Sequence, residues 1–362
     1  MKIAVVGELY KTISKNSLAG TEIWTYNLIR ELVKRKHTVT LFATNESKTN
    51  AKLISVCKQR EIDVKDEKEK KKRYTFFSVK EFARVVKLQN DFDLIHISKF
   101  DFYNILPMIE LIDKPVIITD HGFISSKKFL SLIIKNYKNI TFVFISDYFA
   151  KAMPRINKYV VIKNAILVKE FSFSQDQDND NFFFWMNRIN KVKGVEHAIE
   201  FSKQTNTNLK IAGPILENDY YNDQIKNNLS KKIKYVGALS FAEKNEYYRK
   251  AKAFLMTINW NEPFGLTVIE SMACGTPVIA FNRGAMKEII INGYNGYLVD
   301  PEDGVNGLVK AYKKLESLSK EEYRQMRLNC RKHVEENFSI EKMVENYEKV
   351  YQKVIDDWKK KK

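Results

Sequence analysis

Two glutamates, Glu262 and Glu270, flank a short segment whose sequence predicts the start of a helix. The chain turns at Pro263 and Gly265, continues as a helix, and stops at Gly275 before another strand. Free N–H groups at a helix start attract phosphate through hydrogen bonding and the helix dipole. Carboxylates repel phosphate, but they accept hydrogen bonds from sugar or ribose hydroxyls. The pattern therefore indicates a sugar nucleotide as ligand.

An alternative interpretation gives both glutamates ordinary structural roles. Glu262 would then cap the helix, and Glu270 would be a solvated position on its surface. The helix itself fits either interpretation, with Leu266, Ile269 and Ala273 expected to face the core. The pattern of residues around the pair favours the binding role.

The elements that must position these residues are predicted by an alternation of short apolar runs and amphipathic stretches. Such alternation is typical of parallel β-α units, so the predicted fold class is α/β, with two Rossmann-like doubly wound domains facing a central cleft. The predicted strands lie near residues 3–6, 38–42, 94–97, 116–119, 142–145, 160–162, 182–186, 209–211, 234–236, 254–256, 278–281 and 297–299.

The domain organisation follows from length and from one polar segment. The chain has 362 residues, which is more than one ordinary core accommodates. We expect an N-terminal domain at 1–172, a polar linker at 173–181 and a C-terminal domain at 182–338. A final helix at 339–362 is expected to pack back on the N-terminal domain.

Two positions in the N-terminal half also indicate a binding site. Gly20 opens the first helix after a long loop, and a glycine lets the backbone approach a ligand closely. An ordinary helix start capped by Thr21 is a compatible alternative. His121 directly follows a buried strand, at the end of the strand where α/β sheets display functional side chains. The remaining histidines are expected to be structural; they are His37, His96, His197 and His333.

Taken together, these residues resemble glycosyltransferase family 4, whose members have the two-domain GT-B fold and retain the anomeric configuration of the transferred sugar. The resemblance covers nearly the whole chain and is strongest from residue 188 to residue 303. The matching residues fall in the family's order and spacing; they are Arg188, Lys193-Gly194, Ile211-Ala212-Gly213, Val236-Gly237, Glu262-Pro263-Phe264-Gly265, Glu270, Gly275-Thr276-Pro277-Val278, Gly284, Glu288 and Asn295-Gly296. Asn187 replaces a customary glycine, and Ala19 replaces one of a customary pair of glycines before the first helix.

The resemblance implies a role for each matching site residue. Glu262 would bind hydroxyls of the donor sugar, and Glu270 the nucleotide ribose. Arg188 and Lys193 would neutralise the diphosphate, since preformed cations stabilise a leaving nucleoside diphosphate without a metal. His121 would reach the donor sugar near the reacting carbon. Further donor contacts are implied for Gly20, for Gly213, and for the backbone N–H groups of Phe264, Gly265 and Leu266.

The implied activity is transfer of a hexose from a nucleoside diphosphate sugar to an acceptor hydroxyl, with retention and with no cofactor or metal. Retention would proceed by front-face displacement, in which the leaving phosphate helps to deprotonate the acceptor. UDP-glucose is the expected donor, because the stretch 41–49 looks like the branch that glucosylates pterins and antibiotics. The acceptor is left open between a small molecule, a glycan and a lipid-linked glycan.

Three other functions remain as alternatives to transfer. A sugar-nucleotide epimerase would share the fold. A nicotinamide dehydrogenase is disfavoured because no G-x-G-x-x-G follows the first strand. A nucleic-acid-binding protein would explain the net charge of +17, but the sequence shows no platform of aromatic and basic residues. No nucleic-acid partner is therefore expected, whereas peripheral membrane contact and oligomeric state are left open.

Metal sites, disulfides and membrane spans are not expected. Asp91 and Asp93 resemble a manganese-binding pair, but Asp93 opens a buried strand. The linker acids are expected to be solubilising; they are Asp176, Asp178 and Asp180. Cys57, Cys274 and Cys330 are too widely separated for a zinc motif. The start of the chain shows no apolar run typical of a signal peptide, and Lys135 and Lys138 interrupt the apolar stretch 129–149. We therefore expect a cytoplasmic location, with contact at the inner face of the membrane left open.

Overall fold

The computed structural model describes residues 1–17, 20–99, 101–122, 137, 139–153, 158–176 and 181–361. These residues form two compact units, the first comprising Met1–Asn164 with Ile340–Lys362 and the second Ala165–Ser339. Several positions considered above lie outside the described residues; they are Ala19, Asp178, Asp180, residues 177–180 of the predicted linker, and residues 129–136 and 138 of the apolar stretch.

The first unit is a doubly wound sheet with helices. Its strands are β1 (Lys2–Val6), β2 (Thr38–Ala43), β3 (Lys52–Ser55), β4 (Leu94–Ile97), β5 (Val116–Asp120), β6 (Ile140–Phe144) and β7 (Tyr159–Val161). Its helices are α1 (Gly20–Lys34), α2 (Gln59–Ile62), α3 (Glu67–Leu88), α4 (Asp147–Ala152) and the final helix α12 (Ile340–Lys359), with 3-10 turns at Gln89–Asp91 and Phe102–Leu111. All seven strands are parallel, in the order β3-β2-β1-β4-β5-β6-β7.

The second unit repeats this plan. Its strands are β8 (Phe182–Met186), β9 (Asn208–Ala212), β10 (Ile233–Tyr235), β11 (Ala253–Met256), β12 (Val278–Phe281) and β13 (Gly296–Val299). Its helices are α5 (Val195–Thr205), α6 (Asn218–Gln224), α7 (Phe241–Lys250), α8 (Leu266–Ala273), α9 (Met286–Ile289), α10 (Gly304–Glu316) and α11 (Lys320–Asn337), with 3-10 turns at Val168–Glu170, Lys191–Lys193, Lys226–Asn228 and Pro301–Asp303. The six parallel strands lie in the order β10-β9-β8-β11-β12-β13.

Each sheet reverses its direction of winding at one place, between β1 and β4 in the first unit and between β8 and β11 in the second. Helices that follow the two strands of such a pair leave on opposite faces, so the loops at the strand ends diverge and leave a crevice for a ligand. In the second unit the loops after β8 and β11 carry Arg188 and Thr257. In the first unit, Ser98 directly follows β4.

The predicted fold class is confirmed, and all twelve predicted strands overlap strands of the structure. Strand β3 was not predicted from the sequence; among the described residues it pairs only with β2, at the edge of its sheet. This strand reads KLIS and none of its residues is fully buried. An edge strand of this kind lacks the apolar run that marks a central parallel strand.

The division between the units differs from the predicted boundary at 172, because it follows Asn164. Residues just before 172 bond to the second unit. The Asn245 side chain donates to the Glu170 carbonyl at 2.9 Å and accepts from the Ser172 N–H at 3.0 Å. The Arg331 guanidinium donates to the Phe171 carbonyl at 2.9 Å. The polar composition of residues 173–181 therefore marks a surface loop. The division between the two units lies before that loop, because these hydrogen bonds attach residues 170–172 to the second unit.

The final helix α12 belongs to the first unit. Glu348 accepts from Arg35 at 2.8 Å, and its other oxygen lies 2.7 Å from His37 Nε2. Tyr351 Oη lies 2.6 Å from Nδ1 of the buried His96, and burial lowers the pKa of His96 to about 3. His37 and His96 thus have the structural roles expected for them.

The aspartates and cysteines that we did not expect to bind a metal have other environments in the structure. Asp93 accepts from the backbone N–H of Lys2 at 2.7 Å, where β1 begins. Asp176 lies 3.0 Å from the Arg324 guanidinium. The cysteines are buried free thiols, and burial raises the pKa of Cys274 to about 12. No helix in the described part of the chain is long and apolar enough to cross a membrane.

Candidate functional site

The turn after β8 carries Arg188 at the end of the central strand pair of the second unit. Gly213, which follows β9, has a φ of 132°, and a Cβ atom there would collide with the Asn187 carbonyl. Gly213 therefore lets the two strand ends approach closely. Arg188 is exposed and forms no hydrogen bond or ion pair with any described residue. Its guanidinium is available to an anion.

Lys193 and Glu262 form an ion pair at the centre of the candidate site. Lys193 Nζ donates to Glu262 Oε2 at 2.8 Å, and only 7% and 15% of the two side chains are exposed. Trp260 Nε1 donates to the same oxygen at 2.9 Å, and Lys193 Nζ lies 4.6 Å from the centre of the Trp260 ring. Among the described residues, none hydrogen-bonds to Glu262 Oε1. One carboxylate oxygen is thus held by the protein and the other is available to a ligand.

The position of Lys193 is set by the residue that follows it. Gly194 has a φ of 66°, and a Cβ atom there would collide with the Thr257 carbonyl after β11. Thr257 Oγ1 donates to the Gly194 carbonyl at 2.7 Å and accepts from Trp185 Nε1 at 3.1 Å. These buried bonds hold the turn that presents Lys193 against the end of β11.

The backbone of Glu262 is fixed from the other side by the loop after β12. Gly284 has a φ of 66°, and a Cβ atom there would collide with the Glu262 carbonyl oxygen and amide nitrogen. The Ala285 N–H donates to the Glu262 carbonyl at 2.9 Å. The glycine at 284 is therefore required for the close packing that positions Glu262.

Helix α8 begins directly after this segment. Its N-cap is Gly265, with φ 105°, so Glu262 is not the capping residue that the alternative interpretation made it. Within the described residues, no group accepts from the N–H groups of Phe264, Gly265 or Leu266. Ile269 faces the core as predicted, whereas Leu266 is only half-buried. The helix start thus presents free donors and a positive dipole end.

Glu270 is not a solvated helix position. Its Oε1 accepts from Lys244 Nζ at 2.6 Å, and its Oε2 accepts from Tyr248 Oη at 3.3 Å. The side chain is 13% exposed, and Tyr248 is fully buried. Each carboxylate oxygen has two lone pairs, so Glu270 retains capacity to accept from a ligand hydroxyl.

The first unit carries the other two predicted site residues, Gly20 and His121. Gly20 is the first residue of α1. His121 Nε2 lies 3.1 Å from Ser98 Oγ, and the Trp24 ring packs edge-on against the imidazole at 4.7 Å. Burial lowers the pKa of His121 to about 3, so the imidazole is neutral at physiological pH. His121 can therefore act as a hydrogen-bonding group, but not as a cation.

Glu22, in the first turn of α1, should make stability depend on pH. It is 4% exposed, and burial, reinforced by the charge of Glu8, raises its pKa from 4.5 to about 7. The folded state therefore keeps a proton that the unfolded chain releases, so stability is lost as the pH rises from about 4.5 to 7. The full loss above pH 7 is roughly 3 kcal/mol. We expect Glu22→Gln to melt at a higher temperature than the wild type at pH 8.

The matched control for this prediction is Glu31→Gln on the same helix. Glu31 already pairs with Lys34 and Arg35, so its amide variant should show no such gain at pH 8. Thermal unfolding at pH 4 and pH 8 measures both variants. If Glu22→Gln and the wild type had the same melting temperature at pH 8, the ionised Glu22 carboxylate would not lower the free energy of unfolding at that pH.

Several site residues escaped the sequence analysis because they match no motif. Trp260 stands two positions before Glu262, and Lys244 stands on α7, one helix before the glutamate that it pairs with. Ser98 could have been found only by noting that it directly follows a buried strand, as His121 does. The identity of the motif residues was predictable, but their polar partners required the structure.

Two family models match the chain, and together they cover most of it. The model described as "Glycosyl transferases group 1" matches residues 168–333, which include the whole candidate site of the second unit. The model described as "Glycosyltransferase Family 4" matches residues 18–167, which include Gly20 and His121.

Curated relatives are similar to parts of the chain. An uncharacterized glycosyltransferase of Methanocaldococcus jannaschii is 35% identical over 201 residues, which is 55% of each protein. The glycogen synthase of Mycobacterium tuberculosis is 30% identical over 166 residues, which is 44% of this chain and 40% of that protein. The chain thus matches only about half of the length of these relatives.

Solved structures show the same fold over the whole chain. Sucrose-phosphate synthase from Thermosynechococcus elongatus has a TM-score of 0.78 at 18% identity, with 98% of this chain and 99% of that chain covered. Anabaena HepE, solved in complex with UDP-glucose, has a TM-score of 0.75 at 16% identity, with 98% and 100% covered. The chain therefore belongs to the family 4-like glycosyltransferases, with the GT-B fold.

Proposed function

We propose that this protein transfers a hexose from a nucleoside diphosphate sugar to an acceptor hydroxyl, with retention of configuration and without a metal ion. The observation that carries the proposal is the arrangement of Lys193, Glu262 and Trp260. A buried cation and a carboxylate with one available oxygen stand side by side, immediately before a helix start with free N–H groups. A sugar linked to a diphosphate presents the hydroxyls and the anion that these groups would bind.

The diphosphate would bind at the start of α8. The free N–H groups of Phe264, Gly265 and Leu266 donate to anionic oxygens, and the helix dipole favours negative charge at this end. Arg188, which has no partner among the described residues, supplies a further positive charge. Charges already held in place stabilise a leaving diphosphate without reorganisation, so these groups would serve the role that a divalent cation serves elsewhere.

The two glutamates would bind the neutral parts of the donor. Oε1 of Glu262 would accept from a hydroxyl of the sugar, while Lys193 and Trp260 hold Oε2. Glu270 would accept from the ribose hydroxyls with the lone pairs that Lys244 and Tyr248 leave available. This division places one carboxylate on each side of the diphosphate site.

The chemical step would be a front-face displacement. The bond between the anomeric carbon and the phosphate oxygen breaks, and the acceptor oxygen bonds to the same face of the sugar. The acceptor proton passes to the departing phosphate, whose negative charge Lys193 and Arg188 stabilise. Detection of a covalent glycosyl-enzyme by mass spectrometry would contradict this mechanism.

UDP-glucose is the proposed donor. Anabaena HepE, which shares the fold, was solved with UDP-glucose, and the stretch 41–49 resembles the branch that glucosylates small molecules. The acceptor would be a small molecule, a glycan or a lipid-linked glycan. His121 and Gly20 of the first unit stay predictions as donor contacts.

Calorimetric titration with UDP-glucose, UDP-N-acetylglucosamine and GDP-mannose, each in EDTA, tests the proposal. We expect UDP-glucose to bind despite chelation. Glu270→Ala should weaken binding by roughly 10- to 100-fold, because each hydrogen bond to a charged group contributes about 1.5–3 kcal/mol. Glu302→Ala, which removes an exposed carboxylate of the same unit, is the matched control and should bind as the wild type does.

Each outcome of this titration decides one part of the proposal. Binding that appears only after Mg²⁺ or Mn²⁺ is restored would contradict the metal-independent site. Tighter binding of GDP-mannose would replace the proposed donor. Absence of binding by all three donors would overturn the assignment of the site to these sugar nucleotides.

A further inference from the structure

His121 is held by a chain of hydrogen bonds that ends at a backbone carbonyl. Its Nε2 atom lies 3.1 Å from Ser98 Oγ, which lies 3.0 Å from Thr25 Oγ1. Thr25 Oγ1 donates to the Thr21 carbonyl at 2.8 Å. All four residues belong to the first unit. The threonines lie on α1, and Ser98 and His121 directly follow the neighbouring strands β4 and β5.

The carbonyl at the end fixes the direction of every bond in this chain, because a carbonyl oxygen only accepts. A hydroxyl has one hydrogen to donate, and Thr25 donates it to Thr21. Thr25 Oγ1 must then accept from Ser98, which uses the only hydroxyl hydrogen of Ser98. Toward His121, Ser98 Oγ is left as an acceptor, so Nε2 must carry the imidazole hydrogen. The opposite direction would forfeit the bond between Thr25 and Thr21.

The other imidazole nitrogen is consequently an acceptor. A neutral histidine with its hydrogen on Nε2 has a lone pair on Nδ1. No described residue hydrogen-bonds to Nδ1 of His121. The ring is held in this orientation by Trp24, which is itself buried and donates from Nε1 to Met343 Sδ at 3.1 Å.

We propose that Ser98 and Thr25 are positioning residues that hold His121 as its Nε2–H tautomer, so that Nδ1 accepts a hydrogen bond from a hydroxyl of the sugar substrate. The tautomer follows from the first unit alone, whereas the contact with substrate rests on the proposed function. The same hydrogen bonds tie His121 to the first turn of α1, which begins at Gly20. They therefore connect His121 to the helix that carries Gly20, the other predicted site residue of the first unit.

Nitrogen NMR of the full-length protein, labelled with ¹⁵N-histidine, reads the tautomer without a ligand. The chain has five histidines, and loss of one set of signals in His121→Gln assigns those of His121. We expect the wild-type signals to be those of an Nε2–H imidazole. In Thr25→Val the hydrogen of Ser98 becomes free to turn toward Nε2 of His121, so the signals of this variant should shift toward the Nδ1–H form.

Ser98→Thr and Thr25→Ser are the matched controls, because each keeps a hydroxyl at its position and should keep the wild-type tautomer. The signals of His37, which bonds to Glu348 on α12, report whether each variant is folded. In an assay with donor and acceptor, Thr25→Val should lower kcat about tenfold, the effect of losing about one hydrogen bond, and Thr25→Ser should restore it.

The outcomes separate the two halves of the proposal. An Nδ1–H signal in the wild type, or an unchanged tautomer in Thr25→Val, would overturn the positioning role. A shifted tautomer with unchanged kcat in Thr25→Val would overturn the contact with substrate. If the wild type binds no sugar nucleotide, the contact with substrate fails together with the proposed function, while the NMR result on the tautomer still stands.

Discussion

Replacement of Lys193 by methionine is expected to lower kcat by about 100- to 1,000-fold, the usual effect of removing one preorganised group that stabilises charge in a transition state. Lys193 Nζ is almost fully buried between Glu262 and the Trp260 ring, so its charge is held in place before the donor arrives. Negative charge grows on the diphosphate as it leaves. We therefore expect a larger effect on kcat than on the Kd for the donor.

Initial rates at saturating donor give kcat, and calorimetry gives the Kd. Trp260→Phe is the matched control, because it keeps an aromatic ring beside Lys193 and removes only the N–H that donates to Glu262. Its expected loss in kcat is about tenfold, in keeping with one hydrogen bond. If Lys193→Met raised the Kd and left kcat unchanged, Lys193 would bind the donor without stabilising its departure.

The fold could be predicted because most central strands contain a short apolar run. β8 reads FFFWM and β12 reads VIAF, and such runs mark strands that are buried on both faces of a parallel sheet. The edge strand β3 could not be predicted, because it is half-exposed and lacks that signal. The division after Asn164 also left no trace in composition, since it depends on hydrogen bonds between segments distant in sequence, such as Glu170 with Asn245.

The candidate site could be predicted as a set of residues but not as an arrangement. Lys193 and Glu262 were each identified from motifs, yet their ion pair joins positions that are 69 residues apart. Trp260, which shares the Glu262 oxygen, belongs to no motif. The spacing of a sequence motif shows which residues a loop carries, whereas a contact between loops depends on how the strands are ordered in the sheet.

Two glycines also illustrate that contacts between loops cannot be predicted from the sequence. Gly284 and Gly293 both have positive φ angles, 66° and 76°, so their backbone conformations are alike. A Cβ atom at Gly293 would have nothing within 4 Å, whereas at Gly284 it would collide with the backbone of Glu262. Only the structure shows that one of the two glycines positions a site residue.

This difference allows a test of how closely Glu262 must be positioned. In both Gly284→Ala and Gly293→Ala, a side chain is forced into the left-handed region, at a cost of about 1–2 kcal/mol each. Only Gly284→Ala also pushes against the Glu262 carbonyl and amide, which the Ala285 N–H holds in place. We expect Gly284→Ala to lower kcat by about 100-fold or more, because a displacement of about 1 Å near the chemistry has effects of that size.

Gly293→Ala should lose a similar amount of free energy of unfolding and keep the wild-type kcat. Comparison of the two variants therefore separates the effect of backbone strain from the effect of moving Glu262. Thermal unfolding measures the first quantity, and initial rates at saturating donor measure the second. Equal turnover in the two variants would mean that Glu262 tolerates movement of its backbone and so does not act near the reacting carbon. If Gly284→Ala has a low kcat and Gly293→Ala has the wild-type kcat, then turnover requires the Glu262 carboxylate to be held in the position that the loop after β12 gives it.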